Sequence, residues 1–251
     1  MARVRLKTAQ EIELIRESGR LVAQTLALVK SHVKPGVSTL ELNRVAERFI
    51  VHECQAIPSF KGYMGYQHSL CCAVNDQVVH GIPNARKLKA GDIITLDVGV
   101  FKNGYHGDSA ITVAVGQVSK GAQQLMRVTE DALYRGIKQA VAGARLGDIG
   151  HSIQTLAEEY RYGVVREYTG HGVGRELHEA PQVLHYGKAR TGLRLKPGMV
   201  FTIEPMLTAG SHKVRVKKDG WTAVTVDKSL CAQYEHTIAI TKNGADILTL
   251  P

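Results

Sequence analysis

Three features of the sequence predict an α+β fold that is internally duplicated: a long-range repeat, two pairs of capped amphipathic segments, and short apolar strands between and after them. Leu88-Lys89-Ala90-Gly91-Asp92-Ile93-Ile94-Thr95-Leu96-Asp97 reads onto Leu195-Lys196-Pro197-Gly198-Met199-Val200-Phe201-Thr202-Ile203-Glu204 at an offset of 107 residues. Gly36, Glu41, Leu42 and Phe49 map at the same offset onto Gly143, Asp148, Ile149 and Leu156. His80-Gly81-Ile82-Pro83 echoes His178-Glu179-Ala180-Pro181, and Gly107-Asp108-Ser109-Ala110-Ile111 echoes Tyr234-Glu235-His236-Thr237-Ile238. Folded face to face, such halves give a curved, largely antiparallel sheet backed by two helix pairs about a pseudo-twofold axis. Each half then contributes two strand carboxylates to that axis.

The elements follow in order. Thr8-Ala9-Gln10-Glu11 is a capping box, and Ile12, Ile15, Val22, Leu26 and Val29 recur behind it at helical spacing, so a first helix runs to about His32 and stops before Pro35-Gly36. Ser38-Thr39-Leu40-Glu41 opens a second helix through about Cys54, with Leu42, Val45, Phe49 and Ile50 inward. The repeat places a third helix near Lys120 to Ala142 and a fourth from near Asp148 to about Tyr160. Strands are expected near Ser69 to Val74, Ile93 to Val100, Ala110 to Val115, Val200 to Leu207, Trp221 to Thr225 and Tyr234 to Thr241.

At 251 residues, 44% apolar and 22% charged, the chain can bury a substantial core. Interlocking halves (approximately 10–115 and 116–245) and the lack of a linker or low-complexity tract point to a single catalytic domain, 1–251. A net charge of +9 suits acidic surroundings such as RNA or the ribosome. The densest basic run, Lys213-Val214-Arg215-Val216-Lys217-Lys218, is equally suited to a solvated hairpin edge. Cys54, Cys71, Cys72 and Cys231 form no Cys-x-x-Cys pair or disulfide framework, which agrees with a reduced cytoplasmic setting. No leader and no stretch long and apolar enough for a membrane span is expected.

Chemistry is concentrated in the repeated acids. Asp97 lies in Ile93-Ile94-Thr95-Leu96-Asp97-Val98 and Glu204 in Val200-Phe201-Thr202-Ile203-Glu204-Pro205, strands too apolar for solvated faces. A buried unpaired carboxylate costs several kcal/mol, so such acids are paired, protonated or bound to a cation. Asp108 and Glu235 add two more, and four converging carboxylates repel one another unless metal ions neutralise them. Tyr168-Thr169-Gly170-His171-Gly172-Val173-Gly174-Arg175 places His171 between glycines, seven residues before the His178 echo. Four carboxylates and one imidazole form an oxygen-rich set suited to two divalent first-row ions, which is hydrolytic equipment. His80 and His178, outside the carboxylate strands, suit the rim of such a site, or a loop-holding role.

The motifs Val79-His80-Gly81-Ile82-Pro83, Asp97-Val98-Gly99-Val100, Gly107-Asp108, Tyr168-Thr169-Gly170-His171-Gly172, Phe201-Thr202-Ile203-Glu204-Pro205 and Gln233-Tyr234-Glu235-His236-Thr237 together make the chain resemble the type I methionine aminopeptidases, of the pita-bread fold. Only 32 residues separate His171 from Glu204, without the insertion of the other type, and the N-terminus resembles the short bacterial form. The resemblance implies that Asp97, Asp108, His171, Glu204 and Glu235 hold two divalent ions (Co, Mn, Fe, Zn or Ni), with Asp108 and Glu235 bridging. It implies removal of the initiator methionine from nascent polypeptide N-termini that carry a small second residue, by a metal-bridged hydroxide. Glu204 is the implied proton carrier, His178 the partner of the carbonyl oxygen and His80 that of the scissile amide nitrogen. The implied methionine slot comprises Phe60, Tyr63, Tyr66, Cys71, Leu177 and Trp221, although residue type alone makes these aromatics core. Phe60 replaces a cysteine, and Leu177 a phenylalanine, of many relatives. A monovalent cation on backbone carbonyls of Asn75, Gln77 and Cys231 is a further implication. A monomer is expected, with ribosome association through the basic surface and no membrane contact.

Three other readings share some of these residues. A proline-directed peptidase of the same fold has the same five ligands, usually behind a large extra N-terminal domain. A metal-free ribosome-binding module of this fold suits the charge but predicts broken ligands. An iron oxygenase fits His106-Gly107-Asp108 with a later histidine, and leaves Asp97, Glu204 and Glu235 without a role.

Overall fold

The structure, a computed structural model, describes residues 4–251. Four helices are present, α1 (Ala9–His32), α2 (Thr39–Arg48), α3 (Lys120–Gln139) and α4 (Leu146–Glu159). Thr8 and Ser38 cap α1 and α2 in complete capping boxes with Glu11 and Glu41. The strands are β1 (Ile57–Pro58), β2 (Cys71–Val74), β3 (Ile93–Lys102), β4 (Tyr105–Ala114), β5 (Gly163–Val164), β6 (Gly170–Gly172), β7 (Glu179–Val183), β8 (Val200–Ile203), β9 (Met206–Thr208), β10 (Val214–Val216), β11 (Ala223–Thr225), β12 (Cys231–Gln233), β13 (His236–Thr241) and β14 (Gly244–Ile247). Every ladder among the described residues is antiparallel. They form β1-β3-β2 with β4 on β3, β12-β9-β5, β14-β13-β8-β6-β7, and the hairpin β10-β11.

The repeat is kept at the level of single hydrogen bonds. Gly36 donates to Leu88 O and Leu88 to Val37 O, each at 2.8 Å, while 107 residues later Gly143 donates to Leu195 O at 3.0 Å and Leu195 to Ala144 O at 2.8 Å. The bridges Ser38–Lys87 and Arg145–Arg194 obey the same offset. Each half has its own core. Val22, Leu26 and Leu42 from α1 and α2 pack on Ile94, Leu96 and Val98, and Leu125, Leu133 and Ile149 from α3 and α4 pack on Phe201 and Ile203.

The halves are joined through polar seams between β4 and the β12–β13 segment. Thr112 Oγ1 donates to Gln233 O at 2.7 Å, Ser109 Oγ donates to Glu235 O, and Thr237 Oγ1 donates to Asp108 O at 2.7 Å. These bonds lock Asp108 beside Glu235. Helix α1 crosses β4 so closely that a Cβ on Gly107 would stand 2.6 Å from Gly19 N.

Several boundaries differ from the expected ones for definite reasons. Helix α3 stops at Gln139 rather than Ala142, because Ala140 leaves helical geometry so that Gly143 and Ala144 can pair with Leu195. The second helix ends in a π-turn, Phe49–Glu53. The strand expected from Val200 to Leu207 is split at Glu204-Pro205: β8 pairs with β13 and β9 with β12. Proline lacks the donor a continuous ladder needs, and the Glu204 N–H turns instead to His185 Nε2 at 3.0 Å. The strand expected from Tyr234 begins only at His236, after a break from β12 at which the Glu235 N–H donates to Ala110 O at 2.8 Å. Strands β6 and β7, rich in glycine and interrupted by Pro181, were not expected.

Candidate active site

The two halves meet over a cavity of about 340 Å³, within the range of small-ligand sites. Its lining includes Asp97, Asp108, His171, Glu204 and Glu235 on the floor, His80 and His178 above them, and Phe60, Tyr63, Tyr66, Cys71, Leu177 and Trp221 around the wall, whereas Asn75, Gln77, Cys231 and His106 lie outside it. Val79, Glu167, Tyr168, Thr169, Met64 and Gln233 complete it.

Different local rules deliver the floor. Asp97 and Asp108 come from the uninterrupted β3–β4 hairpin, where Asp97 faces Ala110 and Asp108 faces Gly99. Glu204 and Glu235 stand instead at the two strand breaks just described. His171 lies in β6, its Nδ1 3.0 Å from Gly172 O, which leaves Nε2 directed at Asp108 Oδ2 (3.6 Å) and Glu204 Oε1 (3.7 Å). Ligand atoms of Asp108, His171 and Glu235 all lie within 4.8 Å of one another.

The electrostatics of this floor are adverse without a cation. Burial pushes the Asp97 carboxyl up to about 7 and that of Glu204 up to about 8. Burial, reinforced by the neighbouring acids, raises Asp108 and Glu235 well above the carboxylate range. One oxygen each of Asp97 and Asp108 is buried without a partner. His171 is driven down to about 3 by burial, so its imidazole is neutral, the form that ligates metals. Unpartnered carboxylate oxygens converging on a neutral imidazole fit divalent cations, and oxygen-rich sets of this kind suit first-row ions.

Residues not singled out from the sequence hold this floor in place. Thr202 Oγ1 donates to Glu204 Oε1 at 2.8 Å and accepts from the His171 N–H at 3.0 Å, linking two of the five. Gln233 Nε2 donates to Glu204 Oε2 at 3.3 Å. A signal existed: Thr202 and Gln233 each stand two residues before an acid, hence on its face of an extended chain, in otherwise apolar segments. His185, accepting from Glu204 N, comes from after β7 and had no such signal.

The wall is aromatic and rigid. Tyr66 is 3% exposed and donates to Leu70 O and Gly81 O, each at 3.2 Å. Its ring meets Trp221 edge-on at 5.0 Å, and His80 packs edge-on against Tyr168 at 5.3 Å. His178 Nδ1 lies 2.9 Å from the Tyr63 hydroxyl, and its ring centroid 4.0 Å from that of His171.

Comparison with known proteins agrees with this geometry. Residues 13–242 match the model of metallopeptidase family M24. The chain belongs to metallopeptidase family M24. It is 56% identical over 243 residues to methionine aminopeptidase 1 of Bacillus subtilis, covering 97% of this chain and 98% of that one. Methionine aminopeptidase of Escherichia coli is 48% identical, over 98% of this chain and 94% of its own. The solved methionine aminopeptidase of Rickettsia prowazekii superposes with a TM-score of 0.97 at 46% identity, covering 99% and 100% of the two chains. Pyrococcus furiosus prolidase shares the fold at a TM-score of 0.79 and 24% identity, over 98% of this chain but 65% of that one. Among M24 metallopeptidases this chain falls with the methionine aminopeptidases, hydrolases of the pita-bread fold that use divalent metal. Among the described residues no helix is long and apolar enough to cross a membrane.

Proposed function

We propose that this chain, as one catalytic domain spanning 1–251, removes the N-terminal methionine from nascent proteins and peptides that carry a small second residue. The observation that carries this reading is a floor of converging buried carboxylates, two of them with an oxygen that has no partner, beside an aromatic slot. Two divalent cations would be held by Asp97, Asp108, His171, Glu204 and Glu235 and would supply Lewis acidity and an activated water there.

The chain's own groups do the remaining work. Glu204, oriented by Thr202 and Gln233, takes the proton of the attacking water and returns it to the departing amine. With the Tyr63 hydroxyl donating to Nδ1 of His178, that ring carries its proton on Nε2 and offers it to the substrate carbonyl oxygen as charge develops. Burial lowers His80 to about 4, so at neutral pH it meets the scissile amide nitrogen as a neutral ring. Phe60, Tyr63, Tyr66, Cys71, Leu177 and Trp221 enclose the methionine side chain, excluding water from one end of the cavity.

Four buried thiols without a disulfide support a reducing cytoplasmic setting. The exposed basic residues Lys213, Arg215, Lys217 and Lys218, on and beside β10, support association with the ribosome, where nascent N-termini emerge. A monomer, and a monovalent cation on the carbonyls of Asn75, Gln77 and Cys231, complete the reading.

The test is release of free methionine from Met-Ala-Ser against leucine from Leu-Ala-Ser, using chelated protein, protein reloaded with Mn, Co or Fe, and Glu204→Ala. Metal-restored cleavage of the methionine peptide alone, abolished in the variant, is expected. Failure to cleave either peptide with any metal would overturn the reading.

A further inference from the structure

Lys7, in the segment before α1, has a side chain only 2% exposed, and its ammonium lies 2.5 Å from Glu179 Oε2. A desolvated ion pair is a poor way to gain stability, since well-packed apolar groups usually serve as well, so its location calls for another account. Glu179 follows His178 directly. Its other oxygen accepts from the Glu176 N–H at 3.3 Å, closing the turn that carries Leu177 and His178 into the cavity.

Everything around this pair fixes that turn from the outside. The Lys7 N–H donates to Gly198 O at 2.7 Å, anchoring its main chain ahead of β8. Gly174 lets the pair lie against the loop backbone, because a Cβ there would stand 2.5 Å from Lys7 Nζ and 2.3 Å from Glu179 Oε1. Gly174 O accepts from the His106 N–H at 2.9 Å, and the Arg175 guanidinium covers the Tyr105 ring at 4.9 Å. Inside the cavity His178 has Tyr63 as its hydrogen-bond partner, from a different loop. Tyr63 fixes the orientation of the imidazole, and the backbone that Glu179 and Lys7 hold carries it to that position.

We infer that Lys7 and Glu179 are positioning residues of the reaction: their part-buried ion pair holds the 174–179 turn so that His178 meets the substrate carbonyl. This rests on the role proposed above for His178, and the experiment separates the two. Lys7→Met and Glu179→Gln, which keep side-chain size, are compared with His178→Ala and with both double variants, on Met-Ala-Ser with the Mn-loaded enzyme. Misplacing a group by about 1 Å can cost up to about 100-fold, so each single variant is expected to lower kcat about tenfold or more with KM for the peptide nearly unchanged. On the His178→Ala background the same changes should lower kcat less than about twofold, because the group they position is gone.

Equal losses on both backgrounds would mean general structural damage and overturn the inference, as would unchanged kcat in the single variants. If His178→Ala itself is harmless, the role of His178 fails and this inference with it. Melting curves show which variants fold; should Lys7→Met not fold, Glu179→Gln carries the same comparison. The exchanged pair Lys7→Glu with Glu179→Lys is expected to recover part of the lost kcat, which loss of packing alone would not allow.

Discussion

Thr202 is fully buried and serves two of the proposed ligands with one hydroxyl, so it is the residue at which floor geometry can be tested without touching an acid. Thr202→Val keeps the shape and leaves the His171 N–H without this acceptor and Glu204 Oε1 without this donor. Stability should fall by about 1–3 kcal/mol, and kcat on Met-Ala-Ser should drop about tenfold. Thermal melts and steady-state kinetics read both; a variant with unchanged kcat would show that Glu204 needs no such support. The wall offers a second test. Phe60 and Leu177 face one cavity. Leu177→Phe alone should overfill the slot and lower kcat/KM on the methionine peptide about tenfold, within the ~1–3 kcal/mol of a hydrophobic pocket. Adding Phe60→Cys should restore most of it, and if the double variant stays as poor as the single, the two walls are not compensating.

At the scale of elements, the decisive contact is α1 across β4, which carries Asp108. No side chain separates them at Gly107, where a Cβ would meet the backbone of Ser18 and Gly19 within 3 Å. Gly107→Ala should therefore push helix from strand, destabilising by about 1–3 kcal/mol and lowering the melting temperature by several degrees. Because Asp108 is the next residue, its metal affinity should weaken as well, which titration with Mn would read. Gly143→Ala is the instructive contrast: its Cβ meets open space, so only the φ of +93° opposes it, and the penalty should come without any change in metal binding. Equal metal affinity in both variants would separate the helix crossing from the ligand geometry.

For the whole molecule, the buried acids couple stability to pH and to metal. In the chelated protein Asp97 and Glu204 bind protons up to about 7 and about 8, whereas unfolded carboxylates release theirs near pH 4. The histidines lowered by burial work the other way below about pH 6.5. Above about pH 7 they are neutral in both states, the folded state holds more protons than the unfolded one, and stability falls as pH rises from about 7 to about 8. Cations reverse this by favouring the ionised acids and displacing their protons. Chelated protein should melt at progressively lower temperature from pH 7 to pH 8, and added Mn should raise the melting temperature more at pH 8 than at pH 7. A flat profile without metal would mean that the acids are paired in solution by some other group.

How much of this was legible in the sequence depended on the range of the cause. Helix starts at Thr8 and Ser38 are set by capping within four residues, so they could be read directly. The duplicated architecture and the acids of the floor followed from the 107-residue repeat and from carboxylates placed where strands are otherwise apolar. Pro205 marks the break at Glu204 locally, but the break at Tyr234-Glu235 and the partners taken by the diverted N–H groups could not be read, because they depend on tertiary neighbours: His185 Nε2 in one case, Ala110 O in the other. The same holds for the supports. His185 and Lys7 reach their partners only after the chain has folded, and the Lys7–Glu179 pair joins residues 172 positions apart. Local propensity and repetition determined the units of this protein and the chemistry they carry. Only tertiary packing decided how the two halves face each other, which backbone donors are diverted from the ladders, and which residues hold the site, since those bonds depend on distances that no stretch of sequence contains.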